Sequence, residues 1–237
     1  MKTWQEDLLT ITEQGDCERA IFASIEVAAR ALGFDFCAYG YRSPLPVSNP
    51  RIALLNNYPV DWSERYSRAG YLEVDPTVQH GRRSQAPMVW SDAVFGDSPA
   101  LWEEARAAGL RVGWAQSSLD GLGIGGMLTL CRSAEPLSSA ELSANEQKMR
   151  WLVHVAHLAL ARVFRAKQPG KLMQGLTSRE LEILKWTADG KSSQDIADIL
   201  TVSKNTVDFH VRNAVSKLQA ANKTAAVVRA AILGYLN

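Results

Sequence analysis

The sequence has little cysteine. Cys17, Cys37 and Cys131 are widely spaced and form neither a C-x-x-C pair nor a zinc-ligand spacing. A disulfide framework is therefore excluded, and all three are expected to be reduced core thiols of a cytoplasmic protein. No stretch approaches about 18 uninterrupted apolar residues, so no membrane-spanning helix is expected. The opening Met1-Lys2-Thr3-Trp4-Gln5-Glu6-Asp7 has no apolar run behind its basic residue, which argues against a secretory signal. A net charge of +1 leaves no global basic field to announce nucleic acid. There is no G-x-S-x-G elbow, no H-x-x-x-H pair and no metal-ligand cluster, so neither a metal site nor a catalytic residue is expected.

What is present is ordinary in bulk. The 237 residues allow one or two domains, and 46% hydrophobic with 22% charged residues suits a globular chain. Charge is split weakly. From Leu176 onward eight Lys or Arg face six Asp or Glu, whereas the remainder has 18 against 19. That asymmetry is compatible with a local groove contact and does not by itself argue for one.

The last quarter is the most legible part. Thr177 followed three residues later by Glu180 is a capping box, and Gly190 stands where that helix should stop. Ser192 or Ser193 opens a second helix, Ser203 a third and Asn222 a fourth. Only Thr201 and Val202 separate the second and third, the short turn of a helix-turn-helix whose second helix enters the major groove of DNA. On that helix Val207, Val211, Ala214, Val215 and Leu218 form an apolar stripe. Asn205, Asp208, Arg212 and Ser216 fall on the other side. Asn can bond two edge atoms of adenine and Arg two of guanine. Lys191, Lys204 and Lys217, at helix ends or flanks, suit phosphates. With Thr206, the candidate DNA-contacting set is Lys191, Lys204, Asn205, Thr206, Asp208, Arg212 and Lys217. A small helical bundle with a solvated face is the alternative that periodicity leaves open.

The segment Leu176-Thr177-Ser178-Arg179-Glu180-Leu181-Glu182-Ile183-Leu184-Lys185-Trp186-Thr187-Ala188-Asp189-Gly190-Lys191-Ser192, with the later Thr206-Val207-Asp208-Phe209-His210, resembles the C-terminal domain of LuxR-type transcription regulators. The resemblance implies a DNA-binding domain and leaves the attached sensor unspecified.

A basic, polar stretch with Pro169-Gly170 marks a linker ahead of it. The expected organisation is a first domain over residues 1–165, a linker over 166–175 and a DNA-binding domain over 176–237. In the first part Asp16 is expected to cap a helix that carries Ile21, Ile25, Ala28 and Leu32 and stops at Gly33. Strands are expected at 34–42, 51–57, 86–91, 112–118 and 124–132. Helices are expected at 59–68, at 75–81, behind a Ser98-Pro99 cap up to Gly109, and over about 139–164. The fold class is therefore α+β, an α-β-α sandwich on a five-stranded, mostly antiparallel sheet followed by an all-α four-helix domain.

This first part gathers polar aromatic residues: Tyr58, Trp62, Tyr66, Tyr71, Trp90 and Trp102, with Asp75-Pro76 among them. Buried indole and phenol groups need partners, and a buried carboxylate is costly unless it is bonded. A polar ligand in an aromatic-walled pocket is one solution. Residue by residue, plainer readings stand beside it. Asp75-Pro76 can be an N-cap with Pro at N1, Tyr58 and Trp62 can be core, and Thr129 can be an ordinary strand residue.

The pattern Tyr58, Trp62, Tyr66, Asp75-Pro76 and Trp90, with Leu101-Trp102-Glu103-Glu104-Ala105 to Gly109-Leu110 and then Gly113, resembles the sensor of the quorum-sensing LuxR branch, which binds N-acyl-homoserine lactones. The resemblance implies that Trp62 donates to the lactone carbonyl, Asp75 accepts the amide N–H, and Tyr58 and Thr129 donate to the amide carbonyl. It further implies an acyl channel lined by Ala38, Leu54, Leu110 and Ala115, with Tyr66 and Trp90 around the ring. Many members have Ser where Thr129 stands, and 115–118 is more polar than in many, so the resemblance does not fix the acyl length. It implies a homodimer on a palindromic promoter site, with RNA polymerase as a further partner and no cofactor besides the ligand. The 139–164 helix, with Met149, Leu152, Ala156, Ala159 and Val163 apolar, either packs on its own sheet or also serves that dimer. Two rivals remain: a family member answering a non-lactone signal, and an enzyme on acyl lactones or thioesters using Asp75, His80 and Cys37.

Overall fold

A computed structural model describes residues 4–15, 17–121, 123–167 and 175–236. The chain divides into two compact units, the first formed mainly by residues up to Lys167 and the second mainly by the C-terminal stretch.

In the first unit five strands form one sheet. They are β1 (Phe36–Arg42), β2 (Ile52–Asn56), β3 (Met88–Val89), β4 (Val112–Leu119) and β5 (Gly125–Arg132), in the order β2-β1-β5-β4-β3. Every pairing is antiparallel. The helices are α1 (Trp4–Gln14), α2 (Glu18–Ala31), α3 (Val60–Arg68), α4 (Pro76–Gly81), α5 (Pro99–Ala107) and α6 (Ser139–Ala166), with one 3-10 turn at Tyr71–Glu73. Helices α2 and α6 cover one face. Tyr39 and Tyr41 of β1 point there, against His157 and Phe164 of α6. The opposite face carries Phe36 and Cys131, which pack with aromatic residues of α3, α5 and their loops. Both faces being covered, β4 is buried along six consecutive residues, whereas β1 and edge strand β2 alternate.

The structure departs from expectation in several places. Helix α1 was not anticipated. Its Leu8 is fully buried and its Trp4 meets Trp151 of α6 edge-on at 5.7 Å. Asp16, the expected cap of α2, lies outside the described residues; the N-cap position is Cys17, without a side-chain cap bond. Strand β3 is two residues instead of six, since Pro87 has no N–H to add to a ladder. Ser98 occupies the N-cap of α5, but its hydroxyl donates to the Val74 carbonyl instead. The expected linker begins with one further helical residue, Ala166; its residues 168–174 lie outside the described ones. The five apolar residues of α6 singled out above are all buried in the chain's own fold.

The second unit contains α7 (Ser178–Ala188), α8 (Ser193–Leu200), α9 (Lys204–Lys217) and α10 (Lys223–Ile232). Thr177 and Glu180 form both halves of the expected capping box. Ser192, not Ser193, caps α8, and Asp195 returns its bond in a second capping box. Ser203 and Asn222 cap α9 and α10 through their side chains. Gly190 follows α7 at φ 84° and Thr201 turns α8 into α9 at φ 53°, a conformation a β-branched residue seldom adopts. Ile183, Ile196, Ala197, Val207 and Val211 fill the core beneath this turn. Leu184, Ala214, Leu218, Ala226 and Ala230 fill a second core against α10.

Candidate functional site

Antiparallel register places distant residues in rows across the sheet. Ala38 of β1 stands opposite Thr129 of β5, Thr129 opposite Ala115 of β4, and Ala115 opposite Met88 of β3. Directly opposed residues share a face, so these four point together, away from α2 and α6. In the next row Leu54 opposes Gly40, and a Cβ on Gly40 would meet the Leu54 side chain at 3.5 Å. The row on the other side ends at Gly113. A Cβ there would lie 2.2 Å from the Trp90 indole, so only glycine lets that ring lie over the strand. The floor thus combines small residues at Ala38, Gly40, Gly113, Ala115 and Thr129 with Leu54 and Met88 towards its edges.

Aromatic rings stand over it. Trp62 stacks on Tyr71 at 6.1 Å and meets Tyr66 edge-on at 5.9 Å. Phe95 and Trp102 stack at 4.5 Å, and Trp90 meets both edge-on, at 5.7 and 6.1 Å. Tyr58 meets Phe36 edge-on at 6.2 Å. Trp62, Tyr58, Tyr66, Trp90 and Leu110 belong to one cluster. Its helices are pinned from outside. Asn56 Oδ1 accepts from Tyr58 N and Ser63 Oγ, fixing the entry to α3. Arg65 donates twice to Glu104, at 2.7 and 2.8 Å, tying α3 to α5.

The polar atoms of this cluster carry the chemistry. Asp75 Oδ1 accepts from Thr77 N at 2.8 Å and from Thr77 Oγ1 at 2.6 Å, the N-cap of α4. Asp75 Oδ2 accepts from the Tyr66 hydroxyl at 2.9 Å. Burial, then the neighbouring carboxylate, pushes the Tyr66 hydroxyl pKa far up, so it remains a donor. Burial does the same to Tyr58, whose hydroxyl lies beside the Cys131 thiol. Trp102 Nε1 donates to Asp92 at 2.6 Å, whereas Trp90 Nε1 is buried and has no partner among the described residues. Thr129 and Ala115 are buried at the floor, and Leu54 sits at the edge, 46% exposed. Tyr71, Phe95 and Thr77, given no role above, complete the walls and brace Asp75. Local aromatic density was the available signal for the first two, and Thr77 had none.

The residues of the enzymatic alternative are not assembled. Cys37 points to the helix-covered face with its thiol pKa pushed up to about 12 by burial, and His80 Nε2 is engaged with the Ala86 carbonyl. Among the described residues no group of three or more His, Cys, Asp or Glu is placed to hold a metal ion.

On α9 the faces divide as the periodicity implies. Asn205, Arg212 and Ser216 are exposed, Asp208 and Thr206 half-buried, and Lys191 and Lys204 exposed. The Thr206 hydroxyl is engaged with Ser203 Oγ at 2.8 Å, inside the helix cap. Among the described residues no ion pair joins Asp208 to Arg212. Lys217 is placed differently from expectation. Its Nζ is 2.8 Å from Glu180, whose side chain is 3% exposed. Burial raises the Glu180 pKa, but Lys217 and the Thr177 donors outweigh it and hold the carboxyl below its usual range. Lys217 thus neutralises a buried carboxylate joining α7 to α9.

Comparison with known proteins follows the same division. Residues 18–160 match the autoinducer binding domain family, and residues 174–230 match the luxR family of bacterial regulatory proteins. The chain is 45% identical to the transcriptional activator protein AnoR of Acinetobacter nosocomialis, over 100% of both chains. It is 37% identical to the HTH-type quorum-sensing regulator RhlR of Pseudomonas aeruginosa, over 98% of this chain and 96% of that one. A crystal structure of Escherichia coli SdiA superposes with a TM-score of 0.83 at 34% identity, covering 99% of this chain and 98% of that one. SdiA in complex with octanoyl-rac-glycerol superposes at 0.82 with 33% identity, over 100% and 99%.

Proposed function

The chain belongs to the luxR family of bacterial regulatory proteins and carries an autoinducer binding domain ahead of its DNA-binding domain, and from that premise we propose that an N-acyl-homoserine lactone is its signal and a palindromic promoter site its target. The observation that carries the reading is the aromatic cluster on the face of the Ala38–Thr129–Ala115 row, with the Asp75 carboxylate bonded to Tyr66 and the Trp90 indole N–H without a partner among the described residues. Asp75 serves as both cap and acceptor. Thr77 takes Oδ1 and Tyr66 orients Oδ2, and a carboxylate has capacity for about four hydrogen bonds, which leaves room for an amide N–H. Trp62 donates to the lactone carbonyl, Tyr58 and Thr129 to the amide carbonyl, and Tyr66 and Trp90 enclose the ring. Ala38, Leu54, Leu110 and Ala115 give the acyl chain a path of small and aliphatic contacts.

In the second unit Asn205 and Arg212 read bases, Lys191 and Lys204 hold phosphates, and Thr206 and Asp208 flank them. Lys217 is left out, because its charge is already spent on Glu180. A two-fold homodimer in the cytoplasm, recruiting RNA polymerase, places two α9 helices on half-sites about one turn apart. The protein acts as a regulator and not as a catalyst, with no cofactor besides its signal. A second reading, an acylglycerol signal, is favoured by the SdiA complex with octanoyl-rac-glycerol.

Mass spectrometry of small molecules extracted from protein expressed with a mixture of acyl-homoserine lactones separates these readings. Recovery of an intact lactone supports the first. Recovery of an acylglycerol alone replaces it, and a hydrolysed lactone returns the enzymatic alternative.

A further inference from the structure

Phe209 of α9 stands out by its exposure. Burying a Phe ring is strongly favourable, yet this one is 53% exposed, while Val207 and Val211 on either side of it are buried. It lies four residues after Asn205 and three before Arg212, and Asn205, Phe209, Arg212 and Ser216 are all exposed. This i, i+4, i+7, i+11 spacing is a single helical stripe. The apolar ring therefore sits between the two side chains assigned to base edges. The His210 ring meets it edge-on at 5.5 Å and 72°, bracing it at the helix surface.

The chemistry of the groove narrows what such a ring can recognise. Asn205 and Arg212 bond donors and acceptors, but a phenyl ring offers neither. In the major groove the apolar group a base presents is the C5-methyl of thymine. Phe209 lies about 6 Å from Asn205 and about 4.5 Å from Arg212 along the helix axis. Base pairs are stacked about 3.4 Å apart, so the ring faces the step between those two contacts. Resting on the DNA-binding reading above, we propose that Phe209 is a specificity-determining residue that reads a thymine methyl between the adenine met by Asn205 and the guanine met by Arg212.

The test uses the full chain, expressed with a mixture of acyl-homoserine lactones, to enrich duplexes from a random library. In the enriched duplex each thymine is replaced in turn by uracil, which removes the methyl group and leaves base pairing intact. Wild type is expected to lose affinity at one thymine per half-site, about fourfold for one buried methyl. Phe209→Ala, which removes the ring from both protomers of the dimer, is expected to lose about sixteenfold on the thymine duplex and to ignore uracil at that position, while Phe209→Leu keeps part of the discrimination. Melting temperatures of both variants should match wild type, because the ring is not part of the core. The proposal is overturned if Phe209→Ala keeps full affinity, or if its loss multiplies with that of uracil. A wild-type duplex in which no uracil matters overturns this proposal alone. Failure of wild type to enrich any duplex overturns the DNA-binding reading with it.

Discussion

The two units treat buried polar groups in opposite ways. In the second unit the buried carboxylate of Glu180 is met from two sides, by Thr177 N, which closes one half of the capping box, and by Lys217 Nζ. In the first unit lie the buried side-chain atoms without a partner among the described residues, Trp90 Nε1, Gln116 Oε1 and His157 Nε2. An unmade buried hydrogen bond costs about 1–3 kcal/mol. Among the described residues, the second unit thus has no unpartnered buried side-chain N or O atom. The first leaves the Trp90 donor without a partner among the described residues. This contrast is what a receptor joined to a reader requires.

The largest effect that would sharpen the contrast lies on the reader. Arg212→Ala should abolish specific DNA binding and leave ligand binding intact. The loss is about 1–3 kcal/mol for each half-site, counted twice in a two-fold dimer. Gel shifts with the enriched duplex measure it, and normal binding would mean that the reading face of α9 is assigned wrongly. Asp208→Ala in the same series separates two roles. A change at one base pair marks Asp208 as a reader of cytosine, and uniform tightening marks it as a brake on non-specific attraction.

Next is the Glu180–Lys217 pair of the second unit. Lys217→Met should destabilise it by about 3 kcal/mol, because a buried carboxylate loses its countercharge. The double variant Lys217→Met with Glu180→Gln should recover much of that loss. Urea unfolding of the full chain, followed by Trp186 fluorescence in an otherwise Trp-free background, would read it. If Lys217→Met is as stable as wild type, the pair is peripheral.

The complementary prediction concerns the first unit alone. A lactone at a hundred times its dissociation constant should add roughly 2.7 kcal/mol to it and nothing to the second. Calorimetry that shows no shift with any acyl length would remove the lactone assignment. Asp75→Asn comes next. Asn caps helices as well as Asp, so α4 should survive while the charge-assisted bond to the ligand weakens. Dose–response curves in a reporter strain should move to higher ligand by roughly tenfold, about 1.4 kcal/mol. An unchanged curve would reduce Asp75 to its capping role.

The smallest effect is in pH. His157 is buried and its pKa is lowered, by burial above all, with Asp120 opposing. The unfolded chain binds the proton more readily, so stability conferred by this residue is present above the unfolded pKa of about 6.5. It is lost as pH falls through the folded value. Glu180 also has a lowered pKa, but its contribution is present above about 4.3 and is lost only further into acid. Mild acid should therefore loosen the first unit before the second, and simultaneous loss in hydrogen exchange would contradict this.

Much of the second unit was legible because its signals are local. Caps such as Thr177, Ser203 and Asn222 bond backbone groups three residues away, and the apolar stripe on α9 repeats within two turns. The site in the first unit was legible in part. Its aromatic residues are dense in sequence, but Asp75 read equally well as a cap, and the structure has it doing that and accepting from Tyr66 as well. Helix α1 was missed although Thr3 and Glu6 have capping-box spacing, and β3 was overextended because Pro87 was passed over. Lys217 looked like a phosphate contact because a sequence does not reveal that Glu180 is buried opposite it.

The sequence by itself determined the helix-turn-helix, its caps and its exposed face, and it carried the pattern that marks the family. These rest on interactions within about one helical turn, where neighbours in the chain are neighbours in space. Tertiary structure alone decided that Ala38, Thr129 and Ala115 stand in one row, that Gly113 makes room for Trp90, and that Trp90 Nε1 has no partner among the described residues. Strand register joins residues far apart in the chain, and a slip of one residue would turn each of those side chains to the opposite face.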